Sequence, residues 1–344
     1  MDITPAADTP AGPPTTTTRQ DLVTSILGLW LMIGLFVDGW AHVNLSQLET
    51  FFTPWHALFY SGFTAVAGWT AWLVGVRRAT GLPRWDSIPA GYHLGVVGAA
   101  VFAVGGVGDW MWHTIFGIET SLDALLSPTH LLLFAGMVLV VTSPLRAIWY
   151  RHEGRALAWA DGRPAILSTA LVTLLIAFFF LYAWAPTSGL LQAVYSPFDE
   201  LAVSYGVLEF VVTTVILMGP AAMLVSRFDL PVGAFTFMAG TVGVLMNGIE
   251  AFDQPWEFVA PLMAGVTLDA FARLGMGPAK PLVTRVAFMT APVVMWLTHV
   301  ASFALLRSIG WTAEIWGGAV LFGGLAGVGL SLLAVPYRPQ ATSN

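Results

Sequence analysis

The sequence predicts an all-α integral membrane protein, with about ten transmembrane helices arranged as repeated helical hairpins and both termini cytoplasmic. Three observations predict it. The 344 residues are 56% hydrophobic and only 10% charged, with a mean hydropathy of +0.74, too little charge to cover a soluble chain of this length. Apolar stretches of about 20 residues, the length a helix needs to cross the hydrocarbon core, recur along the chain. The basic residues, finally, gather on alternate connections between those stretches.

Residues 1–20 are rich in Thr, Pro and Ala without amphipathic period, and read as a disordered cytoplasmic tail. They lack the basic start of a cleavable signal peptide, so the first apolar run stays as a span. A single membrane domain, 21–338, follows. Spans at 22–43 and 55–76 make a first hairpin (22–76), and 91–114 and 128–150 a second (91–150). Spans at 165–186 and 200–226 make a third (165–226), and 231–251 and 256–274 a fourth (231–274). Spans at 283–306 and 312–336 make the fifth (283–336), and 339–344 is a short cytoplasmic tail. The eighth span is the weakest, being short and carrying Glu257, Pro261 and Asp269, the last expected to pair with Arg273 four residues on. It is kept because dropping it alone scrambles the charges. Arg19, Arg77, Arg78, Arg84, Arg146, Arg151, Arg155, Arg163, Arg227, Arg273, Lys280, Arg285 and Arg338 share one side, and only Arg307 falls on the other. The positive-inside rule makes that shared side cytoplasmic, in a multi-pass protein of the cell membrane.

Composition also excludes chemistry. Without cysteine there are no disulfides, thiolate nucleophiles, iron–sulfur clusters or Cys-based zinc sites. The net charge of −6 comes with no basic patch, so nucleic acid is not a partner. No phosphate-binding loop, dinucleotide fingerprint, His-Glu-x2-His or Gly-x-Ser-x-Gly is present, so neither is a nucleotide.

What remains is a duplicated motif. Asp38-x3-His42 is followed by Glu49-Thr50 and by Thr53-Pro54-Trp55-His56; Asp109-x3-His113 is followed by Glu119-Thr120 and by Ser127-Pro128-Thr129-His130. One carboxylate and two imidazoles recur in the same order, each time on the extracytoplasmic side of a hairpin. Ionisable groups at such a seam are costly to bury and mark function. Weaker echoes, Pro197-Phe-Asp199 and Pro255-Trp-Glu257, open the sixth and eighth spans. There a first-turn proline and an acid at the positive end of the helix dipole explain themselves. The dipole gives no reason for histidine.

Residues four apart share a helix face, so Asp38 projects with His42 and Asp109 with His113. His56 and His130 open the next helices and return to the same depth. Each hairpin thus offers two imidazoles and a carboxylate, a facial triad for non-haem iron that equally suits zinc or copper(II). In a second arrangement the two Asp residues orient the rings through their other nitrogen, and four His hold one or two metals between the hairpins. In a third, the Asp–His pairs only pin helix ends. The spacing leaves the three open. His299, in the outer half of the ninth span, is a further candidate metal ligand. Glu209 in the sixth span and Glu250 at the end of the seventh are candidate catalytic proton carriers.

The Asp-x3-His pattern with a later His resembles the copper site in the membrane part of the particulate methane and ammonia monooxygenases. The resemblance covers Asp38, His42 and His56 and their counterparts Asp109, His113 and His130. The doubled motif, the ten-span layout and the 13 and 16 residues between paired histidines depart from that family's pattern. It implies copper or iron oxygen chemistry. The residues themselves lead to a membrane-embedded protein binding a transition metal ion (iron, copper or zinc) at its extracytoplasmic face. The expected activity is that of a metalloenzyme, oxidative or hydrolytic, acting on a small or lipophilic substrate from within the lipid bilayer. Any electrons would come from a quinone or a membrane redox partner. The alternatives are a metal-ion or proton transporter or channel, and a non-catalytic scaffold or sensor.

Overall fold

The computed structural model describes residues 14–45, 51–83, 85–117, 119 and 122–335. Glu49, Thr50, Arg84, Thr120, Arg338 and the terminal segments 1–13 and 336–344 lie outside the described residues. Within the described residues the chain is helical and has no β-strand. In order the helices are α1 (Thr18–Asn44), α2 (Pro54–Arg78), α3 (His93–Phe116), α4 (Leu122–Leu126), α5 (Pro128–Val141), α6 (Ser143–Arg151) and α7 (Trp159–Phe179). After them come α8 (Ala185–Ser188), α9 (Leu201–Arg227), α10 (Ala234–Ile249), α11 (Val259–Arg273), α12 (Pro281–Leu306) and α13 (Ala313–Ala334).

Among the described residues, eight stretches are long and apolar enough to cross a membrane: α1, α2, α3, α5 continued by α6, α7, α9, α12 and α13. They are compatible with a helical multi-pass membrane protein. Their apolar side chains also point outward, as lipid contact requires; Val104 and Ile115 on α3 are each 66% exposed. The spans expected at 231–251 and 256–274 are the shorter helices α10 and α11, of 16 and 15 residues. At 1.5 Å per residue these reach only about 24 Å and about 22 Å, against a hydrocarbon core of ~30 Å. The chain between them shortens both: Ala251 and Phe252 turn into the left-handed region, and Pro255 opens a 3₁₀ turn before α11.

Local chemistry sets the other boundaries. A capping box starts α1, with the Thr17 hydroxyl accepting from the Gln20 N–H and the Gln20 side chain from the Thr17 N–H. The segment expected as a free tail through residue 20 is therefore held from Pro14 on. Arg77 and Arg151 donate to the Thr15 and Thr16 carbonyls, and the Ala90 N–H donates to Pro14. The span expected as unbroken over 128–150 is divided between α5 and α6, because Pro144 has no N–H for the bond to the preceding turn.

Four of the expected hairpin pairs pack together: α1 with α2, α3 with α5, α10 with α11 and α12 with α13. The pair expected at 165–226 packs otherwise. Helix α9 lies chiefly along α13, and α7 lies among α1, α6 and α10. The most apolar stretch of α7 is 83% buried, against 28% in α2 and in α3. An α-helix that is apolar all round is a core helix, and α7 serves as one.

Two polar clamps brace this assembly. Asp21, fully buried near the start of α1, accepts from the Tyr92 hydroxyl at 2.8 Å and from Arg151 at 2.7 Å. Asp269 does not pair with Arg273. It accepts from the N–H groups of Phe235 and Thr236 at 3.3 and 2.8 Å. The first N–H groups of α10 have no cap from Gly233, and the carboxylate of the neighbouring helix satisfies them.

Candidate metal centre

The duplication extends from the Asp and His residues to the packing that holds them. Gly34 lies four residues before Asp38, on the backbone of Phe59, three residues after His56; a Cβ there would stand 2.6 Å from Phe59 Cα. Gly105, four before Asp109, lies on Leu133, three after His130, with the corresponding distance to its nitrogen 3.1 Å. Gly62 meets Leu31 and Gly136 meets Phe102, at 2.6 and 2.7 Å and again in matching register. Glycine is thus the residue that lets α1 close on α2 and α3 on α5, just below the polar groups.

Those polar groups form one cluster. Asp38, His42 and His56 offer ligand atoms within 4.8 Å of one another, and so do His56, Asp109 and His113. His56 belongs to both sets. Its Nδ1 is 3.5 Å from Asp38 Oδ1, and His42 Nε2 is 3.8 Å from Asp38 Oδ2. Asp109 Oδ1 receives His113 Nε2 at 3.3 Å and His130 Nε2 at 2.9 Å. The two hairpins therefore make a single continuous site. The Phe51 ring covers it, with its centre 4.8 Å from that of His56 and 6.0 Å from that of His113.

The outer nitrogens decide what the inner ones present. His42 Nδ1 lies 3.2 Å from the Glu119 carbonyl, and His113 Nδ1 lies 3.1 Å from the Gly117 carbonyl. A carbonyl only accepts, so both rings carry a proton on Nδ1 and, when neutral, a bare lone pair on Nε2. Matching hydroxyls, Thr53 and Ser127, hold His56 and His130 through Nδ1 at 2.9 and 2.7 Å. Neutral His113 Nε2 and Asp109 Oδ1 are thus two electron-pair donors brought face to face, and His113 Nε2 is buried without a hydrogen-bond partner. Asp38 Oδ1 and Glu119 Oε2 are orphaned in the same way. Leaving such atoms unmatched is costly. A proton on His113 Nε2 or a shared cation removes the repulsion, and a nitrogen–oxygen donor set without sulfur would suit iron, zinc or copper(II).

Beside the cluster lies a cavity of about 250 Å³. Asp38, His42, His56, Asp109 and His130 line part of it, and Leu35, Phe59, Leu133, Met137, Phe178 and Phe179 are among the apolar residues that line the rest.

The other expected site residues stand elsewhere. His299 is buried with its Nδ1 2.7 Å from Glu257 Oε2, against the rings of Phe210, Trp296 and Phe303. Glu257, in the first turn as its position suggested, thus also serves as this partner. Glu209 accepts from the Ser188 hydroxyl at 2.6 Å. Glu250 closes α10 on a separate small pocket. Two residues enter that the motif did not single out as ligands or supports. The Tyr60 hydroxyl donates to Asp109 Oδ2 at 2.8 Å; its position four after His56 was the available signal. Glu119, visible only as part of the repeat, accepts from Trp112 at 2.8 Å and lies 3.6 Å from His130.

The chain matches no protein-family model, no curated protein and no solved structure. The resemblance to the monooxygenases accordingly extends no further than the motif, and the functional argument rests on the residues.

Proposed function

We propose that this protein is a metalloenzyme of the cell membrane, with a transition metal ion held at its extracytoplasmic end. Asp38, His42, His56, Asp109 and His113 would hold the metal, with His130 beside them. The observation that carries this reading is the coincidence of two donor triads, joined at His56, with an apolar cavity opening directly onto them. A structural metal needs no such chamber; a small lipophilic substrate does. The bound ion would supply Lewis acidity toward water or redox chemistry toward dioxygen. The chain's own residues then have defined tasks. The Glu119 and Gly117 carbonyls hold His42 and His113 in the ligating tautomer. Tyr60 fixes Asp109, Phe51 shields the rings, and the apolar lining excludes water. Glu209 and Glu250, in other surroundings, take no step. An oxidative reaction would draw electrons from a quinone or a membrane partner.

Transport is the less supported reading. Leu31, Met32, Leu35, Val66, Phe102 and Met137 are buried apolar residues on the same helices. A conduction path needs polar groups on both sides of the midplane.

Metal analysis of the purified protein tests the proposal, beside a variant carrying His42→Ala, His56→Ala, His113→Ala and His130→Ala. Stoichiometric iron, copper or zinc in the native protein, lost in the variant, is the expected result. No bound metal in the native protein after reconstitution with each ion would overturn it.

A further inference from the structure

A second pocket lies where α10 ends, and its chemistry differs from that of the first. Asn247 in the last turn, Glu250 at the C-cap, Asp253 and Gln254 beyond it, and Thr187 on α8 line a cavity of about 30 Å³. A single water or ion needs roughly 10–15 Å³ of such space, so the cavity suits an occupant of that size. Asn247 is 1% exposed, and its Nδ2 donates to the Gln254 carbonyl at 2.7 Å. That bond fixes which way the amide points and leaves Oδ1 buried without a hydrogen-bond partner. Gln254 Oε1 is buried and unpartnered as well.

The lone pairs these five side chains can offer a cation are all on oxygen. Such a set of carboxylates, amide carbonyls and a hydroxyl is what calcium takes, in flexible geometry; transition metals favour imidazole, and magnesium keeps its waters. The carbonyl end of α10 adds the negative end of its dipole. One charge is shared outward: Arg307 donates to Asp253 Oδ2 at 3.4 Å. Glu250 therefore supplies the main negative charge.

We propose that this pocket binds a calcium ion through Asn247, Glu250 and Gln254, with Asp253 and Thr187 completing the shell. Its residues are none of those in the histidine cluster, so the two sites stand or fall separately.

Terbium, a luminescent stand-in for calcium, is the probe, added to the full-length metal-free protein in detergent and excited through tryptophan. Saturable emission that calcium displaces is expected. Asn247→Leu and Glu250→Gln should each weaken terbium binding about tenfold or more, since site charge and ligand count set calcium affinity. The fourfold His→Ala variant should bind as the native protein does. Glu250→Gln conserves shape and carries the test if Asn247→Leu fails to fold. Absence of saturable emission, affinity unchanged in Glu250→Gln, or emission lost only with the histidines would each overturn the assignment.

Discussion

Tyr60 breaks the symmetry of the duplicated site. It reaches from the first hairpin to Asp109 in the second, whereas the matching residue of the second hairpin is Phe134, which packs on Phe179 and has no hydroxyl. Asp109 is therefore held by one oxygen while the other faces His113 and His130. Groups that hold a metal ligand in place are worth about 10–100-fold in metal affinity. Tyr60→Phe should lower affinity by an amount of that order without loss of fold, as read by competition against a chelator. Asp109→Asn should cost more, because it removes a ligand charge as well. Equal affinities for Tyr60→Phe and the native protein would mean that the Tyr60 bond does not position a ligand, and an unchanged Asp109→Asn would mean that Asp109 is no ligand.

At the scale of the element, the glycine contacts explain why the motif is doubled as a hairpin and not as isolated residues. Gly62→Val and Gly136→Val each place methyl groups into a neighbouring backbone. Overpacking of this kind costs about 1–3 kcal/mol, so both variants should show a lower Tm and weaker metal binding. Gly68→Ala, with nothing within 4 Å of its Cβ, is the neutral control. The Asp and His residues of the cluster were legible in the sequence, because an i, i+4 pair with a later His needs only helical geometry. The glycines were equally present, but among 35 glycines their register carries no distance until two backbones are set side by side. Hairpin connectivity also misled over α7. A chain reading pairs consecutive spans, whereas burial on all sides drew α7 into the core and left α9 to α13. The sharing of His56 between two triads, and the crossing of Tyr60, depend on how the hairpins lie together, which no spacing encodes.

For the whole molecule, the open question of architecture is whether α10 and α11 cross the membrane. The charge pattern cannot choose. Helices α10 and α11 enter and leave as a pair, so the ten-span and eight-span layouts put every other connection on the same side. Length argues against a crossing, yet α10 packs on α7 and α11 on α12, and backbone ends at membrane depth are tolerated where protein surrounds them. Charge at the turn predicts a crossing. Asp253 is 73% exposed and pairs with Arg307, whose place between α12 and α13 lies on the extracytoplasmic side in both layouts. The chain has no cysteine, so Ala251→Cys creates a sole thiol at that turn. A membrane-impermeant maleimide should label it on intact cells, while Thr80→Cys, in the cytoplasmic connection after α2, should label only after permeabilisation. Ala251→Cys that reacts only in opened cells would overturn the extracytoplasmic placement of this turn, and with it that of the histidine site, because Ile249 at the end of α10 lines the same cavity and holds Asn44 at the end of α1.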